Sequence, residues 1–363
     1  MKGVILHGGH GTRLRPLTHT GPKQLLPIAN KPMSQYCLES IRKTGITDVA
    51  IIVGGIGSNR VRDYYKDGQD FGVKITYIEQ DLPRGIAHAI RLCKEFVGND
   101  KFLVFLGDNI IQKEITEFTR EFENSDASAS ILLCEVDNPS RFGIADVKDG
   151  KIIKIMEKPR NPPTNLAVTG IYFLTPEIFD VIDNLKPSWR NELEITDSLQ
   201  VLLEKKHKIT YHKITDYWKD TGTPEDIIHA NGAILEKMNP YFFGKKENQV
   251  TINGNVMVGE GTIIKTGTNI TGPIIIGKNC AIGPNAIIGP NTSIGDNCTI
   301  SSCDISQSIV MSQRPPTNLV LGMSKLVEDN DIFISLSSSW LDGLYKDTLP
   351  FIFLKSNDLG KLI

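Results

Sequence analysis

Between residues 252 and 300 the chain carries an apolar residue at every sixth position. The nine anchors are Ile252, Val258, Ile264, Ile270, Ile276, Ile282, Ile288, Ile294 and Ile300. A period of six cannot keep side chains on one face of an α-helix, whose period is 3.6. Hexads of this kind are typical of a left-handed parallel β-helix, in which three hexads form one triangular coil. Nine hexads, at three per coil, therefore predict three coils.

The first two-thirds of the chain alternate predicted strands with predicted helices. Three predominantly apolar runs are typical of strands buried in a parallel sheet. They span 49–53, 73–78 and 102–106, and helical patterns lie between them. This alternation predicts an α/β fold, a Rossmann-like domain with a mostly parallel mixed sheet.

Changes in composition divide the chain into four segments. The α/β domain is predicted at 1–238 and the β-helix domain at 250–313. Residues 239–249 are polar, aromatic and lysine-bearing, and are interpreted as a linker. Residues 314–363 are serine-rich and aromatic, with neither hexads nor a helical stripe. We hypothesise that this atypical tail is divergent or frame-shifted coding sequence, which detection of the tail in natively expressed protein by mass spectrometry would reject.

A glycine-rich loop follows the first apolar run, Val4 to Leu6. It contains Gly8, Gly9 and Gly11, with Arg13 two residues further on. Residues without a side chain let backbone N–H groups approach an anion closely, and arginine neutralises its charge. The loop lacks the Gly-Lys-Ser/Thr of a P-loop, and Leu14 stands where a dinucleotide fingerprint needs glycine. The loop therefore predicts phosphate binding at the end of the first strand.

The full loop resembles the signature of the sugar-1-phosphate nucleotidylyltransferases. That signature reads G-x-G-T-R-L-x-P-L-T followed by P-K, and it is matched by residues 9–18 and 22–23. Further segments follow in the family's order. They are Gln80–Ala89, Phe105–Asn109, Arg141–Ala145, Glu157–Pro159, Val168–Tyr172, Arg190–Asp197 and Trp218–Thr223. The resemblance covers about residues 1 to 310 and includes the family's long form with a C-terminal repeat domain.

The resemblance implies a reaction in which a sugar-1-phosphate attacks the α-phosphorus of a nucleoside triphosphate and releases pyrophosphate. It implies catalytic contacts by Arg13, Lys23 and Lys158. It implies nucleotide binding by Gly8, Gly9, Gly11, Thr12, Gln24, Gln80, Pro83, Gly85 and Asp108. It implies sugar-phosphate binding by Gly143, Glu157, Lys158, Val168, Thr169 and Arg190. Asp108 and Asp220 are the implied ligands of Mg²⁺, which favours carboxylate oxygens together with phosphates and water.

The base and the sugar remain open at this point. The amides of Gln24 and Gln80 suit a pyrimidine, which presents an N3–H donor between carbonyl acceptors. The resemblance implies dTTP and glucose-1-phosphate. Thymine and uracil differ by one methyl group, which changes a binding free energy by only about 1 kcal/mol. UTP with glucose-1-phosphate or N-acetylglucosamine-1-phosphate is therefore the alternative.

Two further alternatives concern the class of protein. Hexad coils often carry acetyl transfer, which usually needs a histidine base. All seven histidines precede the repeats, so no acetyl transfer is expected. A non-catalytic scaffold of the same fold would usually lose its phosphate-binding cations or metal carboxylates, and the chain keeps both kinds.

The composition limits the classes of binding partner that are expected. The formal net charge is -2, so the chain has no global basic field to recruit nucleic acid or an anionic membrane. No apolar run of the length needed for a transmembrane helix is found, and no signal peptide is recognised. The six cysteines are scattered, as expected of reduced thiols in a cytoplasmic protein. We expect the repeat domain to mediate a homo-oligomer.

Overall fold

The computed structural model describes residues 1–8, 11–15, 17–18, 21–55 and 57–312, together with the backbone of 332–335 and 351–354. The chain divides into two units. The N-terminal unit comprises Met1–Leu26 and Met33–Gly222, and the C-terminal unit comprises Pro27–Pro32 and the chain from Thr223 onward. Among the described residues, no helix is long and apolar enough to cross a lipid bilayer.

The described helices are α1 (Met33–Lys43), α2 (Ser58–Tyr65), α3 (Ile86–Arg91), α4 (Lys94–Val97), α5 (Thr116–Glu123), α6 (Glu177–Asp183), α7 (Ile195–Glu204) and α8 (Pro224–Lys237). The strands before α8 are β1 (Lys2–Leu6), β2 (Pro27–Ile28), β3 (Lys31–Pro32), β4 (Asp48–Val53), β5 (Lys74–Glu79), β6 (Phe102–Leu106), β7 (Asn109–Ile111), β8 (Ala129–Glu135), β9 (Gly143–Lys148), β10 (Lys151–Glu157), β11 (Leu166–Leu174), β12 (Ile209–Ile214) and β13 (Trp218–Asp220).

The strands after α8 are β14 (Tyr241–Phe242), β15 (Lys245–Lys246), β16 (Thr251–Asn253), β17 (Val256–Val258), β18 (Ile263–Ile264), β19 (Asn269–Thr271), β20 (Ile274–Ile276), β21 (Ala281–Ile282), β22 (Ile287–Ile288), β23 (Thr292–Ile294), β24 (Thr299–Ile300), β25 (Asp304–Ile305), β26 (Ile309–Val310), β27 (Ile332–Ser335) and β28 (Phe351–Leu354).

A nine-stranded mixed sheet forms the centre of the N-terminal unit, as the alternating pattern predicts. Its strands run in the order β10-β9-β11-β6-β1-β4-β5, and β8 joins β11 to β12. The pairs β5–β4, β4–β1 and β1–β6 are parallel, whereas β11 is antiparallel to β6. Parallel strands end at the same edge of a sheet. The residues that follow β1, β5 and β6 therefore share one edge.

Both faces of this sheet are covered by helices, which explains the continuous apolar strands. Val4 and Leu6 belong to an apolar cluster with α3, α6 and α7. Ile5, between them, belongs to a second cluster with α1, α2 and α5. Alternate side chains of a strand point to opposite faces. A strand that is buried on both faces therefore needs an apolar residue at every position.

The repeats of the C-terminal unit form the predicted left-handed β-helix. Three parallel sheets stack its short strands: β14-β17-β20-β23-β26, β15-β18-β21-β24 and β16-β19-β22-β25. Eight of the nine anchors, from Val258 to Ile300, are completely buried, and Ile252 is partly buried at the edge of the same cluster. The six-residue period therefore identifies the core of this unit residue by residue.

The turns of the β-helix place asparagine at positions with left-handed backbone. Asn279, Asn285, Asn291 and Asn297 have φ between 54° and 61°. Asparagine is among the few residues that adopt this conformation at low cost, because its short side chain bonds locally. Each of the four lies three residues after a buried anchor. Each of these hexads therefore contains the asparagine that forms the turn after its strand.

Two predictions differ from the structure. Residues 239–249 are not a linker, because β14 and β15 pair with β17 and β18 as the first rungs of the coil. Three coils are too few, since the three sheets of the described β-helix hold five, four and four strands. The last of these strands, β26, pairs with β23 inside the predicted bounds of 250–313. The spacing of buried residues shortens from six to five after Ile300, and this break ends the hexad register without ending the coil.

The hypothesis about the tail at 314–363 lies outside the described residues. Within that range the structure describes only the backbone of β27 and β28, which pair antiparallel. The origin of the tail therefore stays a prediction.

A hairpin of the C-terminal unit, β2–β3, comes from far earlier in the chain than the rest of that unit. Asn231 of α8 is completely buried, and its Oδ1 accepts a hydrogen bond from Ala29 N at 2.8 Å. The same side chain bonds Asn291 O at 3.0 Å and Ser293 Oγ at 2.6 Å. One amide therefore joins the hairpin, helix α8 and the β-helix.

Replacing Ile288 by alanine is expected to lower the free energy of unfolding by about 2–5 kcal/mol, because it empties a completely buried site. Guanidinium chloride unfolding of the full chain measures this loss. The matched control is Ile287→Ala in the same strand, since Ile287 is 49% exposed. An equal loss in both variants would contradict the assignment of the hexad anchors as the core.

Candidate functional site

The loop after β1 is held in shape by Gly11 and Thr18. Gly11 has φ +57°, and a methyl group built there would lie 2.8 Å from Thr18 Cγ2, so this position requires glycine. The Thr18 hydroxyl donates to Gly11 O at 2.7 Å. Thr12 and Arg13 follow in a 3₁₀ turn and are exposed to solvent. Gly9 lies outside the described residues, so its contact with nucleotide stays a prediction.

The side chain of Gln24 contacts the start of this loop. Its side chain is buried, and its Nε2 donates to Gly8 O at 3.0 Å. Its Oε1 has no hydrogen-bond partner in the described part of the chain. Its role in base reading stays a prediction.

His7 adds no charge beside the loop. Burial lowers the pKa of its imidazole to about 3 against an opposing effect of Asp108, so the ring is neutral at neutral pH. The ring packs in a T-shaped arrangement on Tyr65. Packing against its neighbours is therefore the role that the geometry supports.

A buried ammonium lies between the two predicted metal carboxylates. Lys23 Nζ is 2.7 Å from Asp108 Oδ2 and 3.9 Å from Asp220 Oδ1, and the lysine side chain is only 8% exposed. Burial alone would raise the pKa of Asp108, but the Lys23 ammonium holds that pKa below its ordinary value of 3.8. The Asp108 carboxylate is therefore ionised at neutral pH.

Strand pairing fixes the two carboxylates. β7 and β13 are antiparallel, with Asn109 opposite Asp220. Asn109 donates from Nδ2 to Asp108 Oδ1 at 3.0 Å, while its own Oδ1 accepts from Trp218 Nε1 at 2.8 Å. Thr221 donates its hydroxyl to Asp108 O at 2.7 Å. Asp108 is thus held by Asn109 at one carboxylate oxygen, by Lys23 at the other and by Thr221 at its backbone oxygen.

Arg13 lies near the same carboxylates. A methyl group built at Gly222 would lie 3.1 Å from Arg13 Nη1, so the guanidinium packs directly on this glycine, two residues after Asp220. Arg13 and Lys23 therefore bring two positive charges to one region of the N-terminal unit.

A cavity of about 280 Å³ opens beside these charges. Five predicted nucleotide-binding residues line it: Gly8, Gln80, Pro83, Gly85 and Asp108. Arg190 and Glu192 line it as well. Gly85 has φ +102°, and a methyl group there would meet Leu193 O at 2.4 Å. The segment that carries Gly85 is therefore held against the segment that follows Arg190.

The predicted sugar-binding residues form a second cluster. A methyl group built at Gly143 would lie 2.5 Å from Thr196 Cγ2, 3.3 Å from Glu157 Oε2 and 3.8 Å from Val168 Cβ. The Thr196 hydroxyl donates to Glu157 Oε2 at 2.9 Å. The cluster therefore presents a carboxylate beside a backbone that has no side chain, which suits the approach of a hydroxylated ring.

Arg190 links this cluster to the cavity. Its guanidinium contacts Glu157 Oε1 at 3.2 Å, Glu194 Oε1 at 3.4 Å and both oxygens of Glu192 at 3.0 Å. Burial and the Glu194 carboxylate raise the pKa of Glu157 above its ordinary value of 4.5, while Lys158 and Arg190 oppose this rise. The arginine thus offsets part of the negative charge of three carboxylates.

Lys158 stands at a strained position beside Glu157. Its φ is 40°, which is uncommon for a residue with a side chain. Its Nζ is 3.5 Å from Glu157 Oε1, and its side chain is about one-third exposed. Such strain is often retained at functional sites.

Thr169 is placed differently from its predicted neighbours. It is completely buried in β11, and its hydroxyl has no hydrogen-bond partner in the part of the chain that the structure describes. A sugar contact by its side chain stays a prediction.

Four residues of the site have roles that were not predicted from the sequence. Thr196 and Glu194 surround Glu157 and Arg190, Asn109 orients Asp108, and His88 contacts Gln80. All four lie inside segments of the recognised motifs. Their polar side chains in apolar surroundings are the signal that could have identified them.

Comparison with known proteins decides the family. A nucleotidyl transferase family profile matches residues 2–237, and a bacterial transferase hexapeptide profile of six repeats matches residues 273–303. The chain belongs to the nucleotidyl transferase family. The predicted resemblance in the N-terminal unit is therefore confirmed, and so is the repeat region.

The relatives of this nucleotidyl transferase are named for different activities. This chain is 48% identical over 261 residues to a low-salt glycan biosynthesis nucleotidyltransferase of Haloferax volcanii, covering 72% of this chain and 73% of the relative. It is 44% identical over 279 residues to a glucose-1-phosphate thymidylyltransferase of Streptomyces antibioticus, covering 76% and 78%. A solved UDP-glucose pyrophosphorylase with UDP-glucose superposes with a TM-score of 0.59 at 28% identity, covering 65% of this chain and 99% of that one.

Replacing Gly143 by alanine in this nucleotidyl transferase is expected to lower kcat/KM for the sugar phosphate about 10–100-fold, because the new methyl group displaces Thr196. The KM for the nucleotide should change little. Steady-state kinetics with each substrate varied in turn measures both effects.

The double variant Gly143→Ala/Thr196→Ser is the control. Serine removes the clashing Cγ2 and keeps the hydroxyl that bonds Glu157. Recovery of most of the lost activity is expected. If the double variant were no better than Gly143→Ala, the clash would not be the cause of the loss.

Proposed function

We propose that the chain transfers a thymidylyl group from dTTP to glucose-1-phosphate, forming dTDP-glucose and pyrophosphate. The observation that carries the proposal is the Lys23 ammonium, buried between Asp108 and Asp220. It lies beside a glycine loop, and Asp108 lines the same cavity as Gln80. A fixed cation beside a fixed pair of carboxylates suits polyphosphate chemistry.

The chemistry needs charge neutralisation and alignment more than proton transfer. An oxygen of the sugar phosphate attacks the α-phosphorus, a new P–O bond forms, and the bond to the bridging oxygen of pyrophosphate breaks. The attacking phosphate is already ionised at neutral pH, so it needs no general base. Arg13 and Lys23 would stabilise the charge on the α-phosphate and the departing pyrophosphate.

The acceptor would be held at the other cluster. Lys158 and Arg190 would contact its phosphate, and Glu157 would accept hydrogen bonds from ring hydroxyls. Contacts with three carboxylates orient the guanidinium of Arg190. Held in this way, the acceptor would be aligned for attack.

The two aspartate carboxylates suit a divalent cation. Asp108 and Asp220 approach the same ammonium, Lys23 Nζ, at 2.7 Å and 3.9 Å, and the three groups together carry one net negative charge. Two carboxylates completed by phosphate oxygens and water match the preference of Mg²⁺. We therefore propose that Asp108 and Asp220 hold Mg²⁺, which supplies positive charge to the phosphate oxygens when it is bound.

UTP is the second candidate donor. The Gln80 amide reads groups that thymine and uracil share, and one methyl group contributes only about 1 kcal/mol. The similarity to a UDP-glucose pyrophosphorylase supports keeping UTP in the proposal. A non-catalytic scaffold is disfavoured because Arg13, Lys23 and Lys158 are all retained.

A panel of triphosphates against sugar phosphates tests the proposal. Pyrophosphate release is measured with dTTP or UTP and with glucose-1-phosphate or N-acetylglucosamine-1-phosphate, with and without Mg²⁺. The highest kcat/KM is expected for dTTP with glucose-1-phosphate, and chelation of the metal should abolish it. A higher value for either UTP pair would establish the alternative, and the absence of turnover with every pair would favour a scaffold.

A further inference from the structure

The amide of Gln80 is held by a histidine whose role is unassigned so far. Gln80 follows β5 and is 6% exposed, and its backbone N–H donates to Val53 O at 2.8 Å. Its Nε2 lies 3.0 Å from Nδ1 of His88, which is 3% exposed in helix α3. Both groups of this hydrogen bond are therefore removed from water, where such a bond controls orientation strongly.

The orientation of the Gln80 amide sets the polarity of the bond. Its nitrogen faces His88, and an amide nitrogen donates, so His88 Nδ1 is the acceptor. The His88 ring is then neutral, with its proton on Nε2. Burial lowers the pKa of His88, and Arg91 and Arg84 lower it further against Asp81, so the neutral ring is the state expected at neutral pH.

The other end of the amide faces the nucleotide cavity. A methyl group built at Gly8 would lie 3.2 Å from Gln80 Oε1, and Gly8 and Gln80 both line the cavity of about 280 Å³. Because His88 holds the nitrogen, the atom left toward the cavity is the carbonyl oxygen. A base that enters this cavity therefore meets a hydrogen-bond acceptor.

We propose that His88 is a positioning residue that fixes Gln80 as an acceptor and thereby selects pyrimidines that carry an N3–H. Thymine and uracil donate from N3, whereas N3 of cytosine is an acceptor and would face the amide oxygen with no proton between them. Leaving a buried acceptor without a donor destabilises a complex by more than a typical hydrogen bond stabilises it. The inference rests on the proposed function, because it requires a pyrimidine nucleotide beside Gln80.

The test compares dUTP with dCTP, which differ in their base only at N3 and C4. For the His88→Leu variant, the ratio of kcat/KM values for dUTP over dCTP is expected to fall about tenfold or more, because the amide can then rotate. The fall should come mainly from a gain with dCTP. A merely structural role for His88 would lower both values together and leave their ratio unchanged, which would overturn the proposal.

Two further variants serve as controls, one that restores the hydrogen bond and one at an unrelated histidine. In His88→Asn, Oδ1 stands near the former Nδ1 and can accept the same bond, so the ratio is expected to return toward that of the unaltered protein. His212→Leu removes another histidine of the same unit, which stacks on Phe118, and should leave the ratio unchanged. A ratio in His88→Asn as low as in His88→Leu would count against the hydrogen bond as the cause.

A spectroscopic measurement separates this inference from the proposed function. The imidazole ¹⁵N chemical shifts of the full-length protein report which ring nitrogen of His88 carries the proton, and Nε2 is expected. A proton on Nδ1 would overturn the inference even if dTTP and glucose-1-phosphate were turned over. If no nucleotide were turned over, the proposed function would fail while the assigned polarity of the bond could still hold.

Discussion

Replacing Arg13 by alanine is expected to lower kcat about 10³-fold, the scale on which an arginine stabilises a phosphoryl-type transition state. The guanidinium is exposed and packs on Gly222, two residues from the Asp220 carboxylate. The fold should be unaffected, because the lost side chain lies at the surface. Pyrophosphate release at saturating nucleotide and sugar phosphate measures the effect, and circular dichroism checks the fold.

Arg15 is the matched control for this prediction. It is a second exposed arginine in the same loop, and no role is assigned to it. Arg15→Ala should keep activity within a few-fold of the unaltered protein. Arg13→Lys should remain impaired, because an ammonium cannot donate to two phosphate oxygens in a planar fork. Full activity of a folded Arg13→Ala protein would remove Arg13 from the mechanism.

Replacing Asp108 by asparagine is expected to lower kcat about 10²-fold or more and to raise the Mg²⁺ concentration needed for half-maximal rate. The change keeps the shape of the side chain but removes the negative charge 2.7 Å from Lys23 Nζ. The remaining carboxylate, Asp220, is 3.9 Å from that ammonium and cannot replace the close contact. Initial rates over a Mg²⁺ titration measure both effects.

Asp81→Asn is the control for the removal of a carboxylate. Asp81 lies beside the cavity segment, but it is mostly exposed and pairs with Arg84 at 2.8 Å. This change should leave the Mg²⁺ dependence as it was. If Asp108→Asn and Asp81→Asn responded alike to Mg²⁺, the proposed metal ligands would be wrong.

The pattern of the repeats predicted the core of the β-helix almost completely, for a physical reason. A hexad repeats one environment, so the residue type at each position reports burial directly, as Ile264 to Ile300 show. The two errors occurred where that environment changes. Tyr241 and Lys245 form rungs without hexad composition, and the spacing of five before Ile305 and Val310 breaks the period.

The candidate site was only partly predictable. Motifs identified Lys23, Asp108 and Asp220, but the placement of an ammonium between two carboxylates depends on how β7 pairs with β13, which no local pattern encodes. The same holds for Thr196 and His88, whose partners are distant along the chain or across a turn. Long-range pairing, rather than residue type, was the missing information.

The hairpin at 27–32 makes the chain hard to divide into independent modules. It begins three residues after Gln24, and its Ala29 N–H donates to Asn231, which in turn bonds Asn291 and Ser293. A fragment shortened after Gly222 would leave that donor without its acceptor. Engineers who exchange the repeats between relatives would therefore need to transplant the hairpin sequence too, and natural substitutions in the two segments are expected to co-vary.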